Sequence, residues 1–155
     1  MIHEHVTATT IVKGNAKDIF SMWSHYELFP QFIDGISLVS RTDDITSHWE
    51  IKTLFDKTIK WTSIITERQE DKLIAWESVG QDIKVKGHTT FTQLLQNETE
   101  LTVYIEYSHS YGLLAELVLE YLDDPQEKLE HAIEKFKEYA EGTIALPGAQ
   151  EFAAV

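Results

Sequence analysis

The chain contains no cysteine, and that absence removes thiol nucleophiles, thiolate metal sites and disulfide switching from the mechanisms open to it. Positive charge is scarce too: 13 Lys and Arg stand against 26 Asp and Glu, for a formal net charge of −13. Phosphate backbones and anionic lipid surfaces would repel such a protein over a screening distance of about 8 Å at cellular ionic strength, so nucleic acid is not expected as a partner. The best basic grouping, Lys52, Lys57 and Lys60 with Asp56 among them, flanks a hairpin turn and reads as a solvated edge. No apolar run approaches the roughly 18 residues of a spanning helix, so stable membrane insertion is not expected. The start, MIHEHVTATT, has neither a basic segment nor an apolar run of signal-peptide length, and the expectation is a soluble, cytoplasmic protein.

What is present is 155 residues, 43% hydrophobic and 25% charged, the profile of one globular domain large enough to fold without disulfides or metal. We place the domain at 1–142 and a loosely held tail, TIALPGAQEFAAV, at 143–155. Residues 23 to 36, WSHYELFPQFIDGI, are unusual for so acidic a chain, because Trp23, Tyr26, Leu28, Phe29, Phe32, Ile33 and Ile36 crowd around one proline. A polar connecting loop needs none of these rings. The segment either plugs a core or borders a cavity meant for something apolar.

Residues 3 to 13 alternate and are rich in Thr, Val and Ile, which predicts a strand ending at Gly14. Asn15 then reads as an N-cap, with Asp18 at the positive end of a short helix over about 16 to 25. Pro30 biases Phe29 away from helical geometry, so YELFPQF predicts at most one further turn. Turn chemistry at TDD, FDK, QEDK, GQD and QNET separates strands near 36–42, 45–55, 58–69, 72–79, 84–95 and 99–109, an antiparallel meander. Period-two alternation puts Trp49, Ile51 and Thr53 on one face, and likewise Trp61, Ser63 and Ile65; Ile74, Trp76 and Ser78; and Leu101, Val103, Ile105 and Tyr107.

The last third is helical by its spacing of three and four: Leu114, Leu117, Val118, Tyr121 and Leu122, then Leu129, Ala132, Ile133, Phe136 and Ala140. Between them DDPQE predicts a capped restart, with Asp124 accepting the amide of Gln126 or Glu127 and Pro125 at the first helical position. Residues 112–122 are then expected as a separately mobile helix and 125–141 as the anchored one, stopped by Gly142. The acidic residues of this stretch, Glu116 to Glu141, form the wet face of an amphipathic helix, or alternatively a docking surface for a basic protein partner.

The segments IVKGNAKDIFSMW (11–23), FPQF (29–32), HWEI (48–51), IKWTSIITER (59–68), IAWES (74–78), GHTTF (87–91) and FKEYAEG (136–142), in this order and spacing, resemble the START-related helix-grip superfamily (SRPBCC). Within it the chain looks like the bacterial polyketide cyclase/dehydrase and lipid-transport group, over roughly residues 3 to 142. The resemblance implies an α+β fold: a curved antiparallel sheet of about seven strands wrapped around a long C-terminal helix, with two short helices after the first strand. It also implies an interior cavity for lipids, isoprenoid quinones, hormones or polyketide chains.

On that basis the expected activity is binding or carriage of a hydrophobic small molecule, contacted by Phe32, Trp49, Ile51, Trp61, Trp76, Phe91, Ile105, Tyr107 and Leu117. Cyclase or dehydrase chemistry in the same cavity is the alternative, and an interaction protein with a filled core the third reading. Catalysis would need a positioned acid or base inside. Glu50, Glu77 and His88 alternate with inward residues and are expected outside, so none is assigned a catalytic role. Similar cyclases offer an interior arginine, whereas Arg41 and Arg68, the arginines of this chain, sit at strand ends beside turn carboxylates and are expected in solvent. His3 and His5 share a strand face, but two imidazoles do not close a metal site, and no metal or cofactor is expected.

Overall fold

The computed structural model describes residues 2–52, 58–80, 83–109 and 124–144. Seven strands, β1 (Ile2–Lys13), β2 (Ile36–Arg41), β3 (Thr46–Lys52), β4 (Thr58–Gln69), β5 (Leu73–Val79), β6 (Ile83–Leu94) and β7 (Glu98–His109), form one curved antiparallel sheet. Its order is β1-β7-β6-β5-β4-β3-β2, the meander expected, with β1 returning beside β7. Between β1 and β2 lie helix α1 (Ala16–Ser24) and a 3-10 helix (Tyr26–Gln31), and the described chain ends in helix α2 (Pro125–Ile144). The architecture is the α+β helix-grip arrangement, a half-barrel closed by its C-terminal helix.

The inner face carries the core because each strand delivers every second residue to it. Ala8 and Val12 of β1, Phe91 of β6, and Leu101 and Val103 of β7 meet Leu129, Ile133, Phe136 and Ala140, the apolar stripe of α2. Exposed Glu130, Glu134 and Glu138 occupy the opposite side of that helix. The helix is also fastened to the edge strand by polar groups. Gln126 donates to the Thr7 carbonyl at 2.7 Å, and Glu141 accepts the Lys13 amide at 2.9 Å, so both ends of α2 cover edge groups of β1 that no strand pairs.

Both helix starts are capped as expected. The Asn15 side chain accepts the Asp18 amide at 2.9 Å and the Asp124 side chain accepts that of Glu127 at 3.2 Å. Three expectations differ. Gly142 does not stop α2, which runs on to Ile144. The YELFPQ segment makes a six-residue 3-10 helix instead of one turn, since its i to i+3 pattern loses a single amide at Pro30. Of the strand-end arginines, Arg68 keeps 42% of its side chain exposed beside Glu70 of the turn, as expected, but Arg41 does not stand free in solvent, for the reason given below. The expected mobile helix at 112–122, with Leu117, lies outside the described residues. Among those described, no helix is long and apolar enough to cross a membrane.

Candidate functional site

The aromatic segment after β1 serves as both plug and wall. Trp23 meets Phe29 and Phe136 edge-on at 5.1 and 5.0 Å, and Tyr26 meets Phe29 and Trp49 at 5.2 and 5.6 Å. Phe32 stacks on Tyr139 at 4.9 Å. Edge-to-face contacts of this kind add to burial, and here they tie α1 and the 3-10 helix to α2 on one side and to β3 on the other. Trp23, Tyr26, Phe29, Ile33 and Ile36 then form one wall of a cavity of about 680 Å³. The first turns of α2 form the second wall, through Leu129, Ala132 and Ile133, and the inner face of the sheet forms the floor.

On that floor the indoles dominate. Trp49 and Trp61 are register partners on β3 and β4, and their rings stack 5.9 Å apart at an angle of 10°. Trp76 of β5 is paired with Gly87 of β6. Between the indoles runs a line of hydroxyls fixed by strand register: Ser47 opposes Ser63, and Ser63 opposes Ser78. The Ser78 hydroxyl accepts the Val85 amide at 2.9 Å, and Val85 opposes Tyr107. Ser47 is held by the Trp49 indole N–H at 2.8 Å, whereas Ser63, Ser78 and Tyr107 line the cavity.

Of the nine residues expected to contact a guest, Trp49, Ile51, Trp61, Trp76, Ile105 and Tyr107 line this cavity. Phe32 packs behind the wall against Phe136 and Tyr139, and Phe91 is buried beneath Phe20 at 5.1 Å. Leu117 lies outside the described residues. Glu50, Glu77 and His88 are absent from the lining: Glu50 pairs with Lys60 at 3.1 Å, His88 stacks on Tyr104 at 5.2 Å, and Glu77 borders a second pocket of about 590 Å³ with His5, Lys86 and Glu106, which shares Ser78, Val85 and Tyr107 with the cavity. His5 stacks on the same tyrosine at 5.8 Å. No group of three metal-binding side chains occurs among the described residues.

Arg41 needs correction, while Arg68 pairs with the turn carboxylate Glu70 at 3.4 Å as expected but also reaches the core side. Arg41 opposes Ser47, which puts it on the inner face, where its guanidinium lies 5.2 Å from the Tyr26 ring centre, pairs with Glu27 at 2.5 Å and donates to the Ser24 carbonyl. Only 28% of its side chain is exposed. In β4 a bulge between Ile65 and Glu67 shifts the alternation, so that Arg68 opposes the buried Ile74 and sits 5.1 Å from the Phe20 ring. Both cations therefore brace the α1 and 3-10 segment from the inner face, and neither lines the cavity.

Burial pushes the Tyr26 phenol up to about 12, with Arg41 and Arg68 pulling weakly the other way. Its hydroxyl and the Trp23 indole N–H are sealed from solvent without a hydrogen-bond partner. At the rim the His131 ring lies 3.4 Å from the Asp34 carboxylate, with 52% and 89% of the two side chains exposed, a pair that the distant positions in the chain gave no hint of.

A family model described as polyketide cyclase / dehydrase and lipid transport matches residues 12–134. A 17.2 kDa protein from the melC2-rnhH intergenic region of Streptomyces lincolnensis is 25% identical over 122 residues, 79% of each chain. Among solved structures, the Zhui aromatase/cyclase from Streptomyces sp. R1128 superposes with a TM-score of 0.79 at 12% identity, covering 95% of this chain and 99% of that one. A START superfamily protein from Mycobacterium smegmatis gives 0.71 at 18%, covering 91% and 99%. These structural likenesses speak for the fold, and the family match extends over most of the domain: the chain belongs to the polyketide cyclase/dehydrase and lipid transport family.

Proposed function

We propose that this protein binds or carries a hydrophobic small molecule, of the lipid, isoprenoid quinone or polyketide class, in the cavity between sheet, α1 segment and α2. The observation that carries the reading is the cavity itself: about 680 Å³, a volume suited to a small organic guest, walled by four tryptophans and by aliphatic side chains. A well-packed core leaves few voids larger than a water molecule, so a space of this size argues against the filled-core alternative.

A cyclase or dehydrase acting in the same cavity is the second reading, favoured by the likeness of the fold to an aromatase/cyclase. Against it, the described inner lining offers hydroxyls, and its carboxylates and bases, Asp34, Asp124, Glu127, Lys128 and His131, are all exposed to solvent, where a proton transfer gains little from exclusion of water. Because Trp49, Trp61 and Trp76 all line the cavity, intrinsic fluorescence is the direct test. Saturable quenching by quinones, flavonoids or fatty acids at micromolar concentration, with co-purified small molecules seen by native mass spectrometry, is the expected result. Unchanged emission across that panel would refute the carrier reading.

A further inference from the structure

The floor of the cavity is not uniformly greasy, and an unbonded hydroxyl on it bears on which apolar guests fit. Ser63 is only 6% exposed and lines the cavity, and its hydroxyl makes no hydrogen bond among the described residues, unlike its neighbours in the same line. Ser47 is occupied by Trp49, and Ser78 by the Val85 amide. The register places Ser63 two residues beyond Trp61 on β4, and between Ser47 and Ser78, each two residues from an indole on its own strand, Trp49 and Trp76. An unpartnered hydroxyl thus sits among three indoles, two of them stacked nearly parallel.

The energetics of such a floor distinguish guests. A saturated acyl chain laid across it would seal the Ser63 hydroxyl from water with nothing to bond, and leaving a buried polar group unsatisfied costs more than the bond would have contributed. A flat hydrocarbon would meet the indole faces well and incur the same loss. A flat conjugated molecule with a carbonyl or hydroxyl oxygen on its ring system meets both demands, since offset stacking on indoles is favourable and the oxygen can accept or donate to the serine.

We infer that, within the proposed carrier function on which this rests, the cavity selects planar, oxygen-bearing ring systems over acyl lipids, and that Ser63 is the residue that reads the oxygen. The second pocket, beside His5 and Tyr104, is less informative by comparison, because its Tyr104 hydroxyl is already bonded to Glu106 at 2.7 Å.

The test compares three probes by isothermal titration calorimetry: dihydroxyanthraquinone, anthracene and palmitate, each against the parent protein and Ser63→Ala. Dihydroxyanthraquinone should bind at least about tenfold more tightly than either of the others. Ser63→Ala should weaken it about three- to tenfold while leaving anthracene and palmitate unchanged or tighter. The variant breaks no internal hydrogen bond, and thermal unfolding should show it as stable as the parent. Trp76→Leu, which removes one flat surface, should weaken both ring compounds and spare palmitate. If palmitate or anthracene binds as well as the quinone, or Ser63→Ala lowers all three alike or none, the selectivity inference is overturned while the carrier reading stands. If none of the three binds, both fall.

Discussion

Trp76 and Gly87 are register partners on β5 and β6, and a Cβ placed on Gly87 would lie 2.9 Å from the Trp76 ring and 2.3 Å from the Tyr104 carbonyl oxygen. The backbone of Gly87 is thus approached from two sides, by an indole that lines the cavity and by a peptide group of β7. A ring could swing away from a new methyl group, but a carbonyl held in the β6–β7 ladder could move only by distorting the strand pairing. Gly87→Ala should therefore lower stability by about 1–3 kcal/mol, the usual range for forcing volume into a packed site. It should also change the emission of Trp76. Urea unfolding followed at the tryptophan and by far-ultraviolet circular dichroism measures both effects, and an alanine variant with parental stability and emission would contradict the close approach.

The buried phenol of Tyr26 makes a prediction in pH. Its pKa rises from 10 to about 12 in the folded protein because burial disfavours the phenolate. The stability this contributes is in full force below about pH 10, where the phenol is neutral in both folded and unfolded chains. It drains away between pH 10 and 12, as the unfolded chain gains from ionising a group that the fold keeps neutral. Two pK units correspond to about 3 kcal/mol, so unfolding free energy should fall by an amount of that order across this window. In Tyr26→Phe that part of the alkaline loss should disappear. At neutral pH the same substitution removes a hydroxyl without a partner, and it should be neutral or stabilising by about 1 kcal/mol. A destabilised phenylalanine variant at pH 7 would mean that the hydroxyl has a partner after all.

Arg41 supplies positive charge where α1 lacks it. The last turn of α1 holds no basic residue, and its carbonyls are taken up one by one: Phe20 by the Ser24 hydroxyl at 2.7 Å, Ser21 by His25 Nδ1 at 2.6 Å, Met22 by the His25 amide at 3.2 Å, and Ser24 by Arg41. Arg41→Ala strips a charged donor from the negative end of a helix and uncovers the Tyr26 ring, so a loss of about 1–3 kcal/mol is expected. Glu27→Gln, which removes only the partly exposed ion pair, should cost under about 1 kcal/mol. Equal effects of the two substitutions in thermal unfolding would show the ion pair, not the cap, to be what matters.

These arginines also mark where the sequence stops being informative. Alternation along single strands places Trp49 with Ile51, Ile74 with Trp76, and Leu101 with Tyr107, and those positions do share the inner face because each strand is regular there. The caps at Asn15 and Asp124 are local hydrogen bonds and equally readable. Register between strands is another matter. The bulge between Ile65 and Glu67 turns Arg68 inward, and only the pairing of β3, β4 and β5 aligns Ser47, Ser63 and Ser78. Ser63 and Ser78 were visible on the expected inward faces, yet nothing local to either shows that they would stand opposite one another. Asp34 and His131 meet through tertiary packing alone. A functional surface assembled across strands is therefore less legible than the strands themselves.

The restart at Asp124 allows the sharpest ranking of variants, because two separate demands fall on one residue. Asp124 has a positive φ of 50°, a left-handed backbone that side chains other than Asn, Asp and Gly resist, and its carboxylate caps α2 by accepting the Glu127 amide at 3.2 Å. Asparagine satisfies both demands, and it also removes the Asp124 carboxylate, whose side-chain hydrogen bond first and negative charge second hold the Glu127 carboxyl above its ordinary value. Asp124→Asn should therefore be near neutral or slightly stabilising. Glycine relieves the backbone but gives up the cap, a loss of a few tenths of a kcal/mol. Alanine fails on both counts and should cost about 1–2 kcal/mol or more, the cap and the left-handed strain adding together. The expected order of unfolding free energies is Asn, then Gly, then Ala. Alanine matching glycine would remove the backbone strain from the account, and asparagine as poor as alanine would remove the cap.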